Sequence, residues 1–322
     1  MIKLLDENLI NHIAAGEVIE NPAAVIRELL DNSIDAKAND ISIYIENGGR
    51  RLIRISDNGI GMSKKDALMS IERHATSKIN DLKDLQRVKT LGFRGEALSS
   101  IAAVSRLKIK TKSKDSDLAT EILLSGGVIE HVGESTREDG SEIEARSLFF
   151  NTPARRNFLK APKTEEKKIL DWILKSSLVN PHIRYRLYFD NKEVLNLSKK
   201  ENSLLRAKDL FKGSSFDFYK DFGKIKVSGL LSHPGNTLNS TTSLSTFVNG
   251  RLVTDKIILR AIKDGYGSML KSREYPVGYL DISLKPSDFD VNVHPQKSEI
   301  RFKKSSEVFQ AIKTAIEEAL NK

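Results

Sequence analysis

Three clusters in this chain of 322 residues combine residue types and spacings that can do chemistry. The first is Arg27-Glu28-Leu29-Leu30-Asp31-Asn32, where Glu28 and Asn32 are four positions apart and share one face of a helix. A carboxylate there can take a proton from water. An amide oxygen one turn away can hold a Mg²⁺ that also grips phosphate oxygens, without adding charge beside the base. The second is Asp57-Asn58-Gly59-Ile60-Gly61-Met62. A buried Asp carboxylate accepts a hydrogen bond from an exocyclic amine such as that of adenine, and the two glycines let backbone approach a ring closely. The third is Leu91-Gly92-Phe93-Arg94-Gly95-Glu96-Ala97-Leu98, leading into an apolar helix expected to run to about Val104. Glycines at a helix N-terminus leave N–H groups free at the positive dipole end, a seat for phosphate, with Arg94 beside it. Upstream, Thr76-Ser77-Lys78 adds two hydroxyls and an ammonium. The polar, weakly periodic stretch from about 71 to 95 suits a lid over a ligand.

Each cluster taken alone also has an ordinary reading: a solvated helical pair, an Asn-Gly turn, a glycine-containing loop. What would position them is a set of helices and strands. Pro22 to Ala36 has Pro at its start and Ile26, Leu29, Leu30 and Ile34 at helical spacing. Ile41, Ile43 and Ile45 alternate, and Leu52, Ile53 and Ile55 follow the Gly48-Gly49 turn, which predicts a hairpin. Leu107–Thr111, Ala119–Leu124 and Glu142–Ala145 read as strands, and Lys163–Val179 as a helix with Trp172 on its apolar side. Strands joined through short glycine turns pair antiparallel, and helices arriving in blocks between them cover one face. The expected class is α+β. The polar run Ser198-Lys199-Lys200-Glu201-Asn202 marks a domain boundary, giving 1–200 and 201–322. Beyond it, Lys226–Leu231, Leu244–Val248 and Val277–Leu284 read as strands, and Thr254–Leu270 and Ser305–Leu320 as helices.

Composition narrows the classes. The length fits two domains. With no cysteine, a disulfide framework and a thiolate zinc site are excluded. The six histidines, at 12, 74, 131, 182, 233 and 294, are scattered. No apolar run is long enough to span a membrane, and Met1 to Asp6 does not open a secretory signal. A P-loop is absent, and Gly59-Ile60-Gly61 lacks the third glycine of a dinucleotide fingerprint. The net charge of +9 permits contact with nucleic acid without requiring it.

In chain order the clusters run base and Mg²⁺ ligand, adenine pocket, lid, phosphate loop. That order resembles the Bergerat ATP-binding fold shared by gyrase, Hsp90, histidine kinases and MutL. The resemblance sharpens to the MutL family of DNA mismatch repair. Ile13-Ala14-Ala15-Gly16-Glu17-Val18-Ile19-Glu20, Arg73-His74-Ala75-Thr76-Ser77-Lys78-Ile79, Gly92 to Leu98 and Asn151-Thr152-Pro153-Ala154-Arg155-Arg156 are similar to its motifs. So are Phe247-Val248-Asn249-Gly250-Arg251 and Asp290-Val291-Asn292-Val293-His294-Pro295-Gln296-Lys297 further on.

The resemblance implies a mixed, mostly antiparallel sheet covered by helices, followed by a smaller ribosomal-S5-like domain. It makes Glu28 the general base of ATP hydrolysis and Asn32 the Mg²⁺ ligand. Asp57 would read adenine beside Gly59, Gly61 and Ser141. Thr76, Ser77, Lys78, Gly92, Phe93, Arg94 and Gly95 would line the phosphates, and Lys297 would reach the γ-phosphate from the second domain. It also implies a homodimer that closes on ATP through an arm of about residues 1–20. DNA would be held by its phosphates at Lys256 and Arg260, with Arg155 and Arg156 as weaker candidates. MutS and a downstream endonuclease or helicase are the implied partners. The location implied is the bacterial cytoplasm at the nucleoid, or the nucleus in a eukaryote. Three positions depart from the family pattern: Ser141 after Gly140 in place of Thr, Asn21 in place of Arg, and Lys37 in place of Gly. Full-length members continue into a C-terminal dimerisation domain, so the chain is expected to be an N-terminal fragment, without a nuclease site. Three alternatives stay open on the sequence: the ATPase part of a type II topoisomerase, disfavoured by the ending Asn292 to Lys297; an Hsp90-like chaperone, disfavoured by the positive charge; and a nucleotide-free interaction protein, for which Glu28→Ala would change nothing measurable.

Overall fold

The computed structural model describes residues 19–72, 96–290 and 300–321. The chain divides into two compact units, residues 1–173 with 182–199 and residues 174–181 with 200–322.

In the first unit, α1 (Pro22–Asp35) starts after Asn21, whose side-chain oxygen accepts the Ala24 N–H at 3.0 Å. This is an N-cap, an interaction that contributes about 1 kcal/mol and that an Arg at this position cannot make. The helix buries Val25, Ile26, Leu29, Leu30 and Ser33, while Ile34, expected on that face, is half-buried. β1 (Asp40–Glu46) and β2 (Leu52–Asp57) form the expected antiparallel hairpin, with Ile43 opposite Ile55. There follow α2 (Lys64–Met69), α3 (Ala97–Ala103), β3 (Arg106–Lys112), β4 (Ala119–Ser125), β5 (Val128–Ser135), β6 (Gly140–Arg146), α4 (Pro153–Phe158), α5 (Pro162–Val179), β7 (Arg184–Phe189) and β8 (Lys192–Leu197). The last residues of α5 count with the second unit.

The strands make one eight-stranded sheet in the order β5-β4-β3-β6-β2-β1-β7-β8. Every neighbouring pair is antiparallel except β1 with β7, which the intervening chain joins by a crossover. One face is apolar: Ile41, Ile43, Ile45, Ile53, Ile55, Ile109, Ile122, Ala145, Tyr185 and Leu187 are buried. α1 packs on β2, and α3 on β3 and β4. The expectations above omit β5, β7 and β8. β5 is an edge strand whose first four side chains are exposed, so it carries no apolar alternation to read.

The second unit contains α6 (Ser203–Leu210), β9 (Ser215–Asp221), β10 (Ile225–Ser232), β11 (Thr237–Leu238), β12 (Leu244–Val248), β13 (Arg251–Leu252), α7 (Lys256–Tyr266), β14 (Tyr275–Pro276), β15 (Gly278–Leu284) and α8 (Ser305–Leu320). Its five-stranded sheet runs β13-β12-β15-β10-β9, with β12 and β15 parallel. α7 and α8 pack together, and α8 also packs on β9 and β10. The core joins Val227, Leu231, Val248, Ile258, Ile262, Leu280, Ile282, Ile312 and Ile316. α7 is shorter than the expected Thr254–Leu270. Asp255 caps its start by accepting the N–H groups of Ile257 at 2.8 Å and Ile258 at 3.1 Å, and Gly267 ends it at φ +56°. No helix among the described residues is long and apolar enough to cross a membrane.

Candidate nucleotide site

The period of two along a strand decides which residues meet here. Asp57 is the last residue of β2 and shares the helix-covered face with Ile53 and Ile55. Across the sheet Asp57 is paired with Ser141 of β6, and Ser141 with Thr111 of β3. Residues paired in this way present their side chains on one face, so a carboxylate and two hydroxyls stand side by side at one end of the apolar surface.

Asp57 is 6% exposed. Its Oδ1 accepts the Gly59 N–H at 2.8 Å and the Ser141 N–H at 3.3 Å, and its Oδ2 accepts the Ser33 hydroxyl at 2.8 Å. Burying a carboxylate is expensive unless donors compensate it, and here they do. A carboxylate offers about four lone-pair sites, so close to one remains for a ligand, on Oδ2. Ser33 ties α1 to the end of β2. Sequence reasoning misses it, although a serine at helical spacing from Ile26, Leu29 and Leu30, and so on the core face of α1, is a visible signal.

Behind the carboxylate the hydroxyls are linked. Thr111 Oγ1, fully buried, accepts the Met62 N–H at 2.9 Å, donates to the Gly140 carbonyl at 3.1 Å and lies 2.8 Å from Ser141 Oγ. Arg137, also missed, donates from Nη2 to the Asp57 carbonyl at 2.5 Å. Burial pulls its guanidinium below the ordinary value, while the charges of Asp57, Glu142 and Glu138 act in the opposite sense. It lies between β5 and β6 without any motif around it, so nothing in the sequence marks it.

Two glycines of the site serve packing within the protein. A Cβ on Gly140, at φ +118°, would run into the Asp57 carbonyl oxygen. A Cβ on Gly61, at φ +66°, would run into the Lys112 carbonyl. The close approach of this loop to β3 is by itself a sufficient physical reason for glycine at position 61.

Glu28 and Asn32 lie on α1, both half-buried and off its core face. Glu28 Oε1 accepts Arg27 Nη2 at 3.1 Å and Nε at 3.3 Å, and the Arg27 guanidinium lies over the Trp172 ring, 5.8 Å from its centroid. One face of that carboxylate is thus held by a neighbouring cation. The helix then stops in a Schellman arrangement, with the Lys37 N–H on the Ile34 carbonyl at 2.9 Å and the Ala38 N–H on the Ser33 carbonyl at 3.1 Å. Lys37 occupies the left-handed position at φ +62°, where glycine is the unstrained choice.

Thr76, Ser77, Lys78, Gly92, Phe93, Arg94, Gly95 and Lys297 lie outside the described residues, as does the arm expected over about residues 1–20 up to Val18. Among the nucleic-acid candidates, Lys256 is exposed at the first turn of α7. Arg260, one turn on, is exposed, 3.9 Å from Asp264 and over the Phe309 ring. Arg155 and Arg156 lie on α4, Arg155 half-buried and Arg156 exposed. Among the described residues no group of three His, Cys, Asp or Glu could hold a metal ion.

A buried acceptor at the end of the sheet suits an amine-bearing base, and the polar face of α1 suits phosphate chemistry. Comparison with known proteins identifies the family. Residues 20–145 match the family "Histidine kinase-, DNA gyrase B-, and HSP90-like ATPase", and residues 208–321 match "DNA mismatch repair protein, C-terminal domain". The chain is 42% identical over 324 residues to the DNA mismatch repair protein MutL of Pelobacter propionicus, covering 100% of this chain and 53% of the relative. It is 41% identical over 323 residues to MutL of Trichlorobacter lovleyi, covering 99% and 54%. The chain thus spans about half the length of the curated relatives it matches. Among solved structures, the Aquifex aeolicus MutL ATPase domain complexed with ADP is similar at TM-score 0.67 and 28% identity, over 84% of this chain and 94% of that one. The N-terminal domain of a DNA repair protein is similar at TM-score 0.80 and 26% identity, over 97% and 98%. The match over residues 208–321 removes the topoisomerase and chaperone alternatives. The chain belongs to the MutL family of DNA mismatch repair proteins, joining a gyrase- and Hsp90-like ATPase fold to the mismatch-repair domain that follows it.

Proposed function

We propose that the chain is an ATP-driven switch of DNA mismatch repair, slowly hydrolysing ATP with Mg²⁺ and dimerising when the nucleotide is bound. The observation that carries this reading is Asp57, a buried carboxylate held by Ser33, Gly59 and Ser141 with one acceptor site left over. That site takes the exocyclic amine of adenine. The ADP carried by the Aquifex aeolicus relative supports the assignment.

Glu28 is the general base. Arg27 holds Oε1, so Oε2 is the oxygen that orients a water and removes its proton as the water attacks the γ-phosphate. Asn32, a neutral hard oxygen one turn from a carboxylate, fits a Mg²⁺ shared with the phosphates. The bound ion would supply neutralisation of phosphate charge. Thr76, Ser77, Lys78, Gly92, Phe93, Arg94 and Gly95 surround the phosphates. Lys297 senses the terminal one, which makes its presence felt by the second domain. ATP binding then orders the lid and the N-terminal arm and closes a homodimer. The second domain contacts DNA phosphates through Lys256 and Arg260, aided by Arg155 and Arg156, and the closed state is what MutS and a downstream endonuclease or helicase engage. Relatives of bacterial origin support action at the nucleoid. Two domains divided near residue 200 serve these separate tasks.

The test is ATP turnover by wild type and Glu28→Ala, with both proteins sized in a non-hydrolysable ATP analogue and Mg²⁺. Wild type turns over slowly, Glu28→Ala loses at least about a hundredfold of kcat, and both shift to a dimer. Equal turnover by the two proteins removes Glu28 as the base. Glu28-dependent turnover without a dimer leaves the ATP site and removes the switch.

A further inference from the structure

We infer that Thr111 is a positioning residue that fixes the Ser141 hydroxyl as a hydrogen-bond acceptor toward the base, and so helps select a 6-amino over a 6-oxo purine. The inference rests on the proposed reading of Asp57 as the adenine-binding carboxylate.

It follows from counting protons. Thr111 Oγ1 has one hydrogen and three close partners: the Met62 N–H at 2.9 Å, the Gly140 carbonyl at 3.1 Å and Ser141 Oγ at 2.8 Å. The Met62 contact must be accepted. If Thr111 gave its proton to Ser141, the Gly140 carbonyl would face the Thr111 oxygen at 3.1 Å with no hydrogen between them. If Thr111 gives its proton to Gly140 and takes that of Ser141, all three contacts are hydrogen bonds. Thr111 is fully buried, so bulk water does not compete for these contacts. The Ser141 proton is therefore spent inward, and its lone pairs are what remain for a ligand.

Asp57 and Ser141 then form a wall of acceptors. An exocyclic amine donates to that wall directly. A 6-oxo group would set a carbonyl oxygen against two acceptors, an unpaired and repulsive arrangement. A serine lacks the γ-methyl that restricts a threonine rotamer. At Ser141 the bond to Thr111 supplies that restriction.

The experiment measures ADP and IDP affinity by calorimetry, and kcat and KM for ATP and ITP, in wild type, Thr111→Val, Thr111→Ser and Asp57→Asn. Without the Thr111 hydroxyl, the Ser141 proton is free to turn toward a 6-oxo group. Thr111→Val should weaken ADP binding about fivefold to thirtyfold, on the scale of one lost hydrogen bond. It should narrow the ADP-to-IDP preference about tenfold and raise KM for ATP by a larger factor than it lowers kcat. Thr111→Ser, which keeps the hydroxyl, should restore the preference. Thr111→Ala repeats the measurement should valine not be tolerated. An unchanged ADP-to-IDP ratio in the hydroxyl-free variants overturns the inference, as does equal impairment of Thr111→Ser and Thr111→Val. The Asp57 reading is judged separately: if Asp57→Asn binds ADP like wild type, that reading fails. If Asp57→Asn loses ADP while the hydroxyl-free variants keep the ratio, only the role of Thr111 falls.

Discussion

At the scale of single residues, Lys37 shows how a departure from a family pattern is accommodated. The Schellman hydrogen bonds at the end of α1 are both made, yet the residue at the left-handed position carries a Cβ. For a non-glycine residue this conformation costs roughly 1 kcal/mol, against which glycine adds entropy to the unfolded chain. The first cost is the larger where the position demands φ near +60°. Lys37→Gly should therefore raise stability by about 0.5 kcal/mol, seen as a higher urea midpoint with an unchanged slope. A lower midpoint would mean that the lysine side chain makes contacts worth more than the strain. Asn21 is the opposite case, since the replacement supplies a cap at the other end of the same helix.

At the scale of the element, β15 carries a group whose environment sets a pH dependence. Asp281 has a buried Oδ1 without a hydrogen-bond partner, and burial pushes its pKa up to about 6 although the Gly250 and Ile282 N–H groups act to lower it. The unfolded carboxyl titrates near about 4. Between about pH 4 and pH 6 the folded protein thus holds a proton that the unfolded chain has released. Stability contributed by this group is present below that window, falls as pH rises through it and is fully lost above it. Asp281→Asn cannot ionise. Its stability relative to wild type should increase by on the order of 2 kcal/mol between about pH 4.5 and pH 7.5 in urea unfolding. A gap that does not change with pH would sink this account of Asp281.

At the scale of the whole molecule, the net charge of +9 is spread through a chain whose described cations are often paired, such as Lys108 with Glu121 and Arg186 with Asp40. Overall charge is therefore a weak guide to where DNA would bind under the proposed reading, and the test falls on single exposed positions such as Lys256. If Lys256 touches a DNA phosphate, Lys256→Ala should weaken duplex binding equally for unrelated sequences. It should also reduce the slope of log affinity against log salt by about 1. A sequence-dependent loss, or an unchanged slope, would place the DNA elsewhere.

The sequence alone determined the local elements and the chemistry they could carry. Helical spacing put Glu28 and Asn32 on one face of α1, and the Gly48-Gly49 turn between alternating isoleucines predicted the β1–β2 hairpin. Those are short-range consequences of backbone geometry, legible because a period of 3.6 or 2 is written within a dozen residues. Edge strand β5 lacks such a period, so it has no local signature. Only the tertiary structure decided which residues support Asp57. Ser33, Thr111, Arg137 and Ser141 come from α1, β3, the β5–β6 connection and β6, between 24 and 84 positions away in the two bonds that bracket the set. Their types are common ones and no spacing marks them; of the four, only Ser141 is expected, and that from the family resemblance. The register of β2 against β6 and of β6 against β3 brings Ser141 beside Asp57 and Thr111 beside Ser141. A shift of one residue would turn Asp57 to the opposite face, so the long-range pairing settles what the site can bind.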